Sequence, residues 1–374
     1  MLKVLQVIPA VAARYGGPSE AVIQMSRALG NLGVDVTLAT SNADGMERLD
    51  VPLATETSFH DVRSWFFPVR CSESYKVAPG LRQWISANAS RFDLIHIHSI
   101  FSDSTVAAAA AALRTRRPYI VRPLGHLGVW SLEQHRWRKQ IFLQTVGRQT
   151  IRNASAFHFT SAEEAVQAAP TIGATKSFVL ALGVDPAYFE LARATERDRS
   201  ILFLGRLHPV KNLELLIRSF SSVPAVQGWR LRIAGRGEPG YVTSLQRMAD
   251  ALAPGRVDFV GWVSGEVKVD LLRRSSLFAL PSRHENFGLA AAEAMAAGVP
   301  VVVASEVGMS SDVTEGGAGW VASNDDEFAS AIAEATTEVG DLRQRGLRAA
   351  KVAADRYAWP VVGRGILKMY DACA

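Results

Sequence analysis

The sequence predicts an α/β protein made of two doubly wound, parallel-sheet domains. Three observations carry this. At 374 residues the chain is too long for one ordinary domain and suits two of roughly 170 to 190 residues. Short apolar runs alternate with helical patterns, the rhythm of a parallel sheet covered on both faces. That rhythm halts at a charged stretch, Arg193-Ala194-Thr195-Glu196-Arg197-Asp198-Arg199, and then restarts. The boundary is therefore expected near 186–199, which divides the chain into 1–190, 191–357 and a closing segment, 358–374.

In chain order, Lys3–Ile8 reads as a buried strand, and the turn Tyr15-Gly16-Gly17-Pro18-Ser19 opens a helix from Glu20 to about Leu32. Val34–Thr40, Asp93–His98, Tyr119–Arg122 and Ala156–Phe159 are further strands, with an Ala-rich helix around Val106–Leu113. In the second half Ser200–Leu204 is a strand and Asn212–Phe220 a helix. Trp229–Ala234, Val257–Val260, Leu277–Leu280 and Val299–Ala304 are strands. Helices are expected near Tyr241–Leu252, before Ser275 and at Leu289–Ala297. The last helix, about Trp359 to Asp371, follows the pattern of one that crosses back to the first domain. Ligands bind such folds at the carboxyl ends of the strands, so a cleft between the two domains is expected.

Bulk properties narrow the class. Apolar residues make up 48% and charged residues 21%, the balance of a globular protein with well-filled cores. No apolar run reaches the roughly 18 residues that span a bilayer, and the first residues read as a strand rather than a cleavable leader. Cys71 and Cys373 are far apart, which argues against a disulfide framework or a thiolate metal site. A cytoplasmic location follows, with peripheral contact at the inner membrane face as an addition. The net charge of +5 is uneven: residues 1–185 hold 19 Lys/Arg against 14 Asp/Glu, and residues 186–374 hold 22 of each. Residues 113–152 alone carry nine basic side chains, Arg136 among them, against the single acid Glu133. Interleaved with Trp130, Trp137 and Ile141, they read either as a solvated face or as a surface for an anionic acceptor or anionic lipid headgroups. No nucleic-acid partner is expected.

The densest chemistry lies in His284-Glu285-Asn286-Phe287-Gly288-Leu289-Ala290-Ala291-Ala292-Glu293. From Asn286 to Ser305, Glu293 is the only charged side chain, and a carboxylate on so apolar a helix is costly unless something pairs with it. A second segment, Gly205-Arg206-Leu207-His208-Pro209-Val210-Lys211-Asn212, joins a strand to a helix start. Free N–H groups, the Arg206 fork and the compact Lys211 charge suit a diphosphate there. Gly16-Gly17 and Gly235-Arg236-Gly237 are strand-end glycines that permit close backbone approach, although neither forms the full dinucleotide fingerprint. His96 reads as core. His98, at a strand's carboxyl end, borders the expected cleft. No Asp-x-Asp, metal-spaced His/Cys cluster or Gly-x-Ser-x-Gly is present, so neither a metal nor another cofactor is expected.

Taken together these residues resemble the GT-B glycosyltransferases, specifically the retaining family 4 enzymes (group 1). The likeness runs from the Gly-Gly loop through Gly-Arg-Leu-x-x-x-Lys-Asn and Glu-x7-Glu within Pro-Ser-Arg-His-Glu-Asn-Phe-Gly-Leu. It continues through Ala-x-Gly-x-Pro-Val-Val to a Tyr-Ala-Trp segment before the last helix. The resemblance implies two Rossmann-like domains facing across a cleft and a nucleotide-diphosphate sugar, UDP- or GDP-linked, as donor. It implies that Arg206 and Lys211 hold the diphosphate, that Glu293 receives ribose hydroxyls, and that Glu285, with the N–H groups of Asn286, Phe287, Gly288 and Leu289, meets the sugar. Gly16 and Gly17 would approach the donor from the first domain, with Gly235, Trp262 and Val263 near the nucleotide. One departure stands out. Family members often place a His after the strand matching Tyr119–Pro123, where this chain has Leu124. His126, two residues on, is either that sugar contact or an ordinary loop histidine.

The implied reaction is a metal-independent hexosyl transfer with retention, to a glycan, lipid-linked or small-molecule acceptor in bacterial polysaccharide or glycoconjugate synthesis. Arg206, Lys211, His126 and Glu285 form the catalytic set. His98, Arg122, His126 and Arg136 are the acceptor-side candidates. The competing readings are a nucleotide-sugar epimerase of the same fold and a non-catalytic nucleotide-binding protein.

Overall fold

The computed structural model describes residues 1–70, 75–194, 196–224 and 228–373. Cys71 lies outside the described residues, and Cys373 carries a free thiol. Two units form, one of Met1–Gly183 with Trp359–Ala374 and the other of Val184–Ala358.

The first unit holds strands β1 (Lys3–Ala10), β2 (Asp35–Ser41), β3 (Glu56–Phe59), β4 (Val62–Phe67), β5 (Leu94–His98), β6 (Tyr119–Arg122), β7 (Ala156–Phe159) and β8 (Ser177–Val179). They lie in the order β8-β7-β6-β5-β1-β2-β4-β3, all parallel except the edge pair β3–β4. Both faces are covered. Leu5, Val7, Ile95, Ile97, Val121 and Phe157 pack against helices Pro79–Asn88 and Asp103–Thr115. Val4, Leu94, Ile120 and Ala156 pack against Met25 and Leu29 of helix Gly17–Asn31 and against Trp359, Val362, Ile366, Met369 and Tyr370 of the closing helix, Trp359–Asp371. At roughly 1.5–3 kcal/mol per large side chain buried, that closing helix is an integral layer of this unit.

The second unit holds β9 (Asp198–Leu204), β10 (Arg230–Ala234), β11 (Val257–Gly261), β12 (Ser275–Leu280), β13 (Val301–Ala304) and β14 (Gly319–Ala322). Its sheet is wholly parallel, in the order β11-β10-β9-β12-β13-β14. Strands β9, β12 and β13 are buried along nearly their full length, as expected where helices cover both sides of a sheet.

Local departures from the sequence reading have local causes. The first helix starts at Gly17 rather than Glu20, because Pro18 fixes a helical φ in the first turn. β13 starts at Val301 rather than Val299, because Pro300 has no N–H to give the ladder. The hairpin β3–β4 turns on His60 and Asp61 at φ 49° and 62°, positions where a glycine would have announced it. Among the described residues no helix is long and apolar enough to cross a membrane.

Candidate functional site

In the second sheet the strand order reverses between β9 and β12, and doubly wound sheets bind ligands at the carboxyl ends flanking such a point. The two loops that leave β9 and β12 carry most of the predicted residues. After β9 come Gly205-Arg206-Leu207, a single 3-10 turn, Pro209–Lys211, and Asn212 at φ 54°, which redirects the chain into helix Leu213–Ser221. The His208 side chain accepts the Val210 N–H at 3.2 Å and so shapes the turn. The loop after β12 is stitched to it: the Arg283 N–H donates to the Val210 carbonyl at 2.9 Å, and the Arg283 guanidinium reaches Asn212 at 3.4 Å.

Across this seam the Lys211 ammonium forms an ion pair with the Glu285 carboxylate. Arg206 is exposed and makes no hydrogen bond or ion pair with the other described residues. Glu285 is held by its backbone. Its N–H donates to the Glu306 carbonyl at 3.2 Å, and its carbonyl accepts from Gly308 at 2.9 Å. Phe287 packs edge-on against Tyr357 at 5.3 Å, and its carbonyl accepts the Met309 N–H. Gly288, at φ 98°, then caps helix Leu289–Ala296, and a Cβ there would lie 2.7 Å from Val307. Asn286 is half-buried, and Leu289 opens the helix. A helix start leaves N–H groups free to receive a ligand's oxygen atoms.

The ends of β10 and β11 close on the same edge. Gly235 is required by contact: a Cβ would sit 1.8 Å from the Gly205 carbonyl oxygen. Its N–H donates to Gly261 at 2.7 Å, and the Leu207 N–H donates to Arg236 at 2.8 Å. The Arg236 guanidinium lies 5.5 Å from the ring centre of Trp262, which is exposed beside the half-buried Val263. Arg206, Lys211, Gly235, Trp262, Val263 and the Glu285–Leu289 loop therefore share the carboxyl edge of one sheet.

Glu293 has a partner the sequence reading missed. It is 3% exposed, and Lys268, from helix Gly265–Arg274, meets its carboxylate at 2.7 Å. The same ammonium lies 5.3 Å from the centre of the Tyr188 ring. A lone carboxylate on an apolar helix signals that some partner exists. Nothing in the sequence singles out Lys268.

In the first unit, Gly16 at φ 74° caps the helix whose first residue is Gly17. His126 follows a turn in which Leu124 and Gly125 both have positive φ, 60° and 75°. Glu164 holds that turn, a second residue the sequence reading missed. It is buried and accepts N–H groups from Gly125 at 2.7 Å and Thr160 at 2.8 Å, and the Thr160 hydroxyl at 2.9 Å. The His126 Nδ1 lies 3.5 Å from the Ser99 hydroxyl. Burial, with Lys139 nearby, pushes its imidazole down to about 4.

Two acceptor-side expectations need correction. His98 and Arg122 are fully buried, so neither offers an atom to an incoming acceptor. Both sit at strand ends, but they are register partners on one face of the sheet, the face that also carries Gln6, His96 and His158. There the Gln6 side chain receives His98 and donates to the Tyr370 hydroxyl at 3.0 Å, and His96 meets the same hydroxyl at 2.8 Å. Arg136 is exposed on helix Arg136–Gln144, away from that buried group. Among the described residues no group of three or more His, Cys, Asp or Glu is arranged to hold a metal.

Comparison with known proteins agrees with this architecture. The family described as "Glycosyl transferases group 1" matches residues 186–351, and "Glycosyl transferase 4-like domain" matches residues 16–183. The chain is 27% identical to the GDP-mannose:cellobiosyl-diphosphopolyprenol alpha-mannosyltransferase of Komagataeibacter xylinus, over 99% of this chain and 93% of that protein. It is 27% identical to the D-inositol 3-phosphate glycosyltransferase of Nocardia farcinica, over 78% and 69%. Its fold is shared with Anabaena HepE, solved with UDP and glucose, at TM-score 0.76 and 20% identity over 100% of both chains. It is shared also with the sucrose-phosphate synthase of Thermosynechococcus elongatus, at TM-score 0.77 and 20% identity over 99% and 98%. The chain belongs to the group 1 (family 4) glycosyltransferases of GT-B fold.

Proposed function

We propose that this glycosyltransferase moves a hexose from a UDP- or GDP-linked donor to a glycan or lipid-linked acceptor, with retention and without a metal. The observation that supports this best is the pairing of Lys211 with Glu285 at the reversal point of the second sheet, beside the unengaged Arg206. When the bond between the sugar and the diphosphate breaks, its electron pair goes to the diphosphate. Arg206, Lys211 and the amides at the start of the loop helices lower the barrier by meeting that charge. The acceptor oxygen forms its new bond on the face the diphosphate leaves, and its proton passes to the departing phosphate. Glu285 orients sugar hydroxyls, and Glu293 receives the ribose hydroxyls in competition with Lys268. The basic, Trp-bearing surface at 129–152 meets an anionic bilayer.

A thermal-shift panel of UDP, GDP and their hexose conjugates tests the reading, since a ligand that binds the folded state raises its melting temperature by mass action. One nucleotide series is expected to stabilise the protein, with GDP-mannose the first donor to try given the relative that carries it in its name. If neither series shifts the melting temperature and no nucleotide is released with any acceptor, the proposal fails.

A further inference from the structure

The basic run of the first unit separates into cations that the fold uses and cations that it leaves over. Arg114 donates to the Ser86 carbonyl and hydroxyl at 2.7 Å, and Arg117 to the Ser90 carbonyl at 2.9 Å. Lys139 donates to Ser131. Arg148 and Arg152 are different. Both are exposed, and their side chains make no hydrogen bond or ion pair with the other described residues. They stand one turn apart on helix Val146–Arg152, where like charges repel, and the only acid within 113–152 is Glu133.

These two arginines line an open cavity of ≈ 280 Å³, together with Leu143, Gln144, Ile151 and Thr171. The lining thus sets two arginines beside the apolar wall of Leu143 and Ile151, with the polar Gln144 and Thr171 completing it. Guanidinium forks match phosphate oxygens, and the wall suits the hydrocarbon that begins behind a phosphate. The neighbouring surface extends this pattern. Trp137 is 63% and Ile141 54% exposed, and Val146 at the next helix start is 49% exposed. Trp137 and Ile141 lie one turn apart on helix Arg136–Gln144 and so share a face. Bulky apolar side chains among arginines suit the headgroup layer of a membrane better than water.

We propose that this cavity is a headgroup subsite, in which Arg148 and Arg152 hold the phosphate of an anionic lipid in a bilayer. Trp137, Ile141 and Val146 enter the headgroup layer beside it. The subsite rests on the reading of 129–152 as a surface that meets an anionic bilayer, and it is independent of the donor chemistry.

The test is flotation of the full chain with vesicles of phosphatidylcholine alone or doped with phosphatidylglycerol. Wild type is expected to float with the doped vesicles and not with phosphatidylcholine. Arg148→Gln/Arg152→Gln is expected to lose binding about tenfold or more, as two lost basic contacts at a membrane imply. Arg136→Gln/Arg138→Gln removes the same charge outside the cavity and is expected to lose much less. Both double variants should keep wild-type circular dichroism and donor binding. Failure of wild type to float with doped vesicles overturns the bilayer reading and the subsite together. Equal losses in the two double variants overturn the subsite alone and leave a diffuse charged surface. Release of wild type by inorganic phosphate also overturns it, in favour of a soluble anion.

Discussion

Lys211, on the loop after β9, and Glu285, on the loop after β12, form an ion pair across the point where the second sheet reverses its strand order. The pair couples two parts of the proposed reaction. In that proposal Lys211 holds the diphosphate, and the structure already sets the Glu285 carboxylate against it. Among the described residues Arg206 has no such partner, so in the proposed reaction an arriving diphosphate meets Arg206 freely and shares Lys211 with Glu285.

Lys211→Ala removes the diphosphate's cation and also strands Glu285. Loss of one donor aimed at developing negative charge lowers kcat by about 10²- to 10³-fold, and this is the expected effect on transfer. Glu285→Gln frees Lys211 while keeping a hydrogen-bonding side chain. It should tighten binding of the free nucleoside diphosphate and still slow transfer, because the sugar contact is altered. Calorimetric titration of the diphosphate against both variants checks this. Weaker diphosphate binding by Glu285→Gln would contradict the competition.

Transfer should survive chelation. In the proposed reaction Arg206 and Lys211 supply the positive charge that a bound divalent ion could supply, so excess EDTA is expected to leave the initial rate unchanged within error. A rate abolished by EDTA and restored by Mg²⁺ would overturn metal independence.

Lys268 and Glu293 give a separable pair of effects. Lys268→Ala leaves a buried carboxylate without its cation, and breaking such a pair from one side costs about 3–5 kcal/mol. Glu293→Gln keeps the shape and should cost less. In nucleotide binding the order reverses. Losing a charged acceptor for ribose hydroxyls weakens affinity by about 1–3 kcal/mol, which is expected of Glu293→Gln. Urea denaturation and nucleotide titration of the two variants separate these outcomes. Unchanged nucleotide affinity in Glu293→Gln removes Glu293 from the ribose role.

The legible parts of this chain are those where one side chain's chemistry declares its setting. Buried runs such as Leu277–Leu280 announced strands, and the isolated Glu293 announced a partnered carboxylate. Pairings remained hidden, because they join residues far apart in sequence. Lys211 and Glu285 are separated by 74 positions, and Lys268 lies 25 positions before Glu293. His98 and Arg122 misled for a different reason. A strand's carboxyl end borders a ligand crevice, but side chains alternate between the two faces of a strand. These two fall on the face that carries the Gln6–Tyr370 contact with the closing helix. The hairpin at His60-Asp61 stayed silent because its turn uses neither glycine nor asparagine.

That buried cluster predicts acid sensitivity. His96, His98 and His158 face one another, with Gln6 from β1, Arg122 from β6, Tyr370 from the closing helix and the Leu180 carbonyl around them. Burial, then neighbouring imidazoles and the Arg122 guanidinium, hold His96 and His98 well below the ordinary histidine range. Burial and Arg122 push His158 down to about 3, against a small opposing effect of its bond to Leu180. The folded state therefore keeps these rings neutral where the unfolded chain, titrating near 6.5, takes up protons. Their contribution is complete above about pH 6.5 and is lost progressively as pH falls towards the folded values, by up to about 1.4 kcal/mol per pH unit for each histidine. Carboxylates add their own acid dependence, so the informative quantity is a difference. His158→Gln should unfold in urea with a shallower loss of stability between about pH 6 and 4.5 than wild type, by close to one histidine's share. Parallel curves for the two proteins would show that His158 takes up its proton alike in the folded and unfolded states and adds no acid sensitivity.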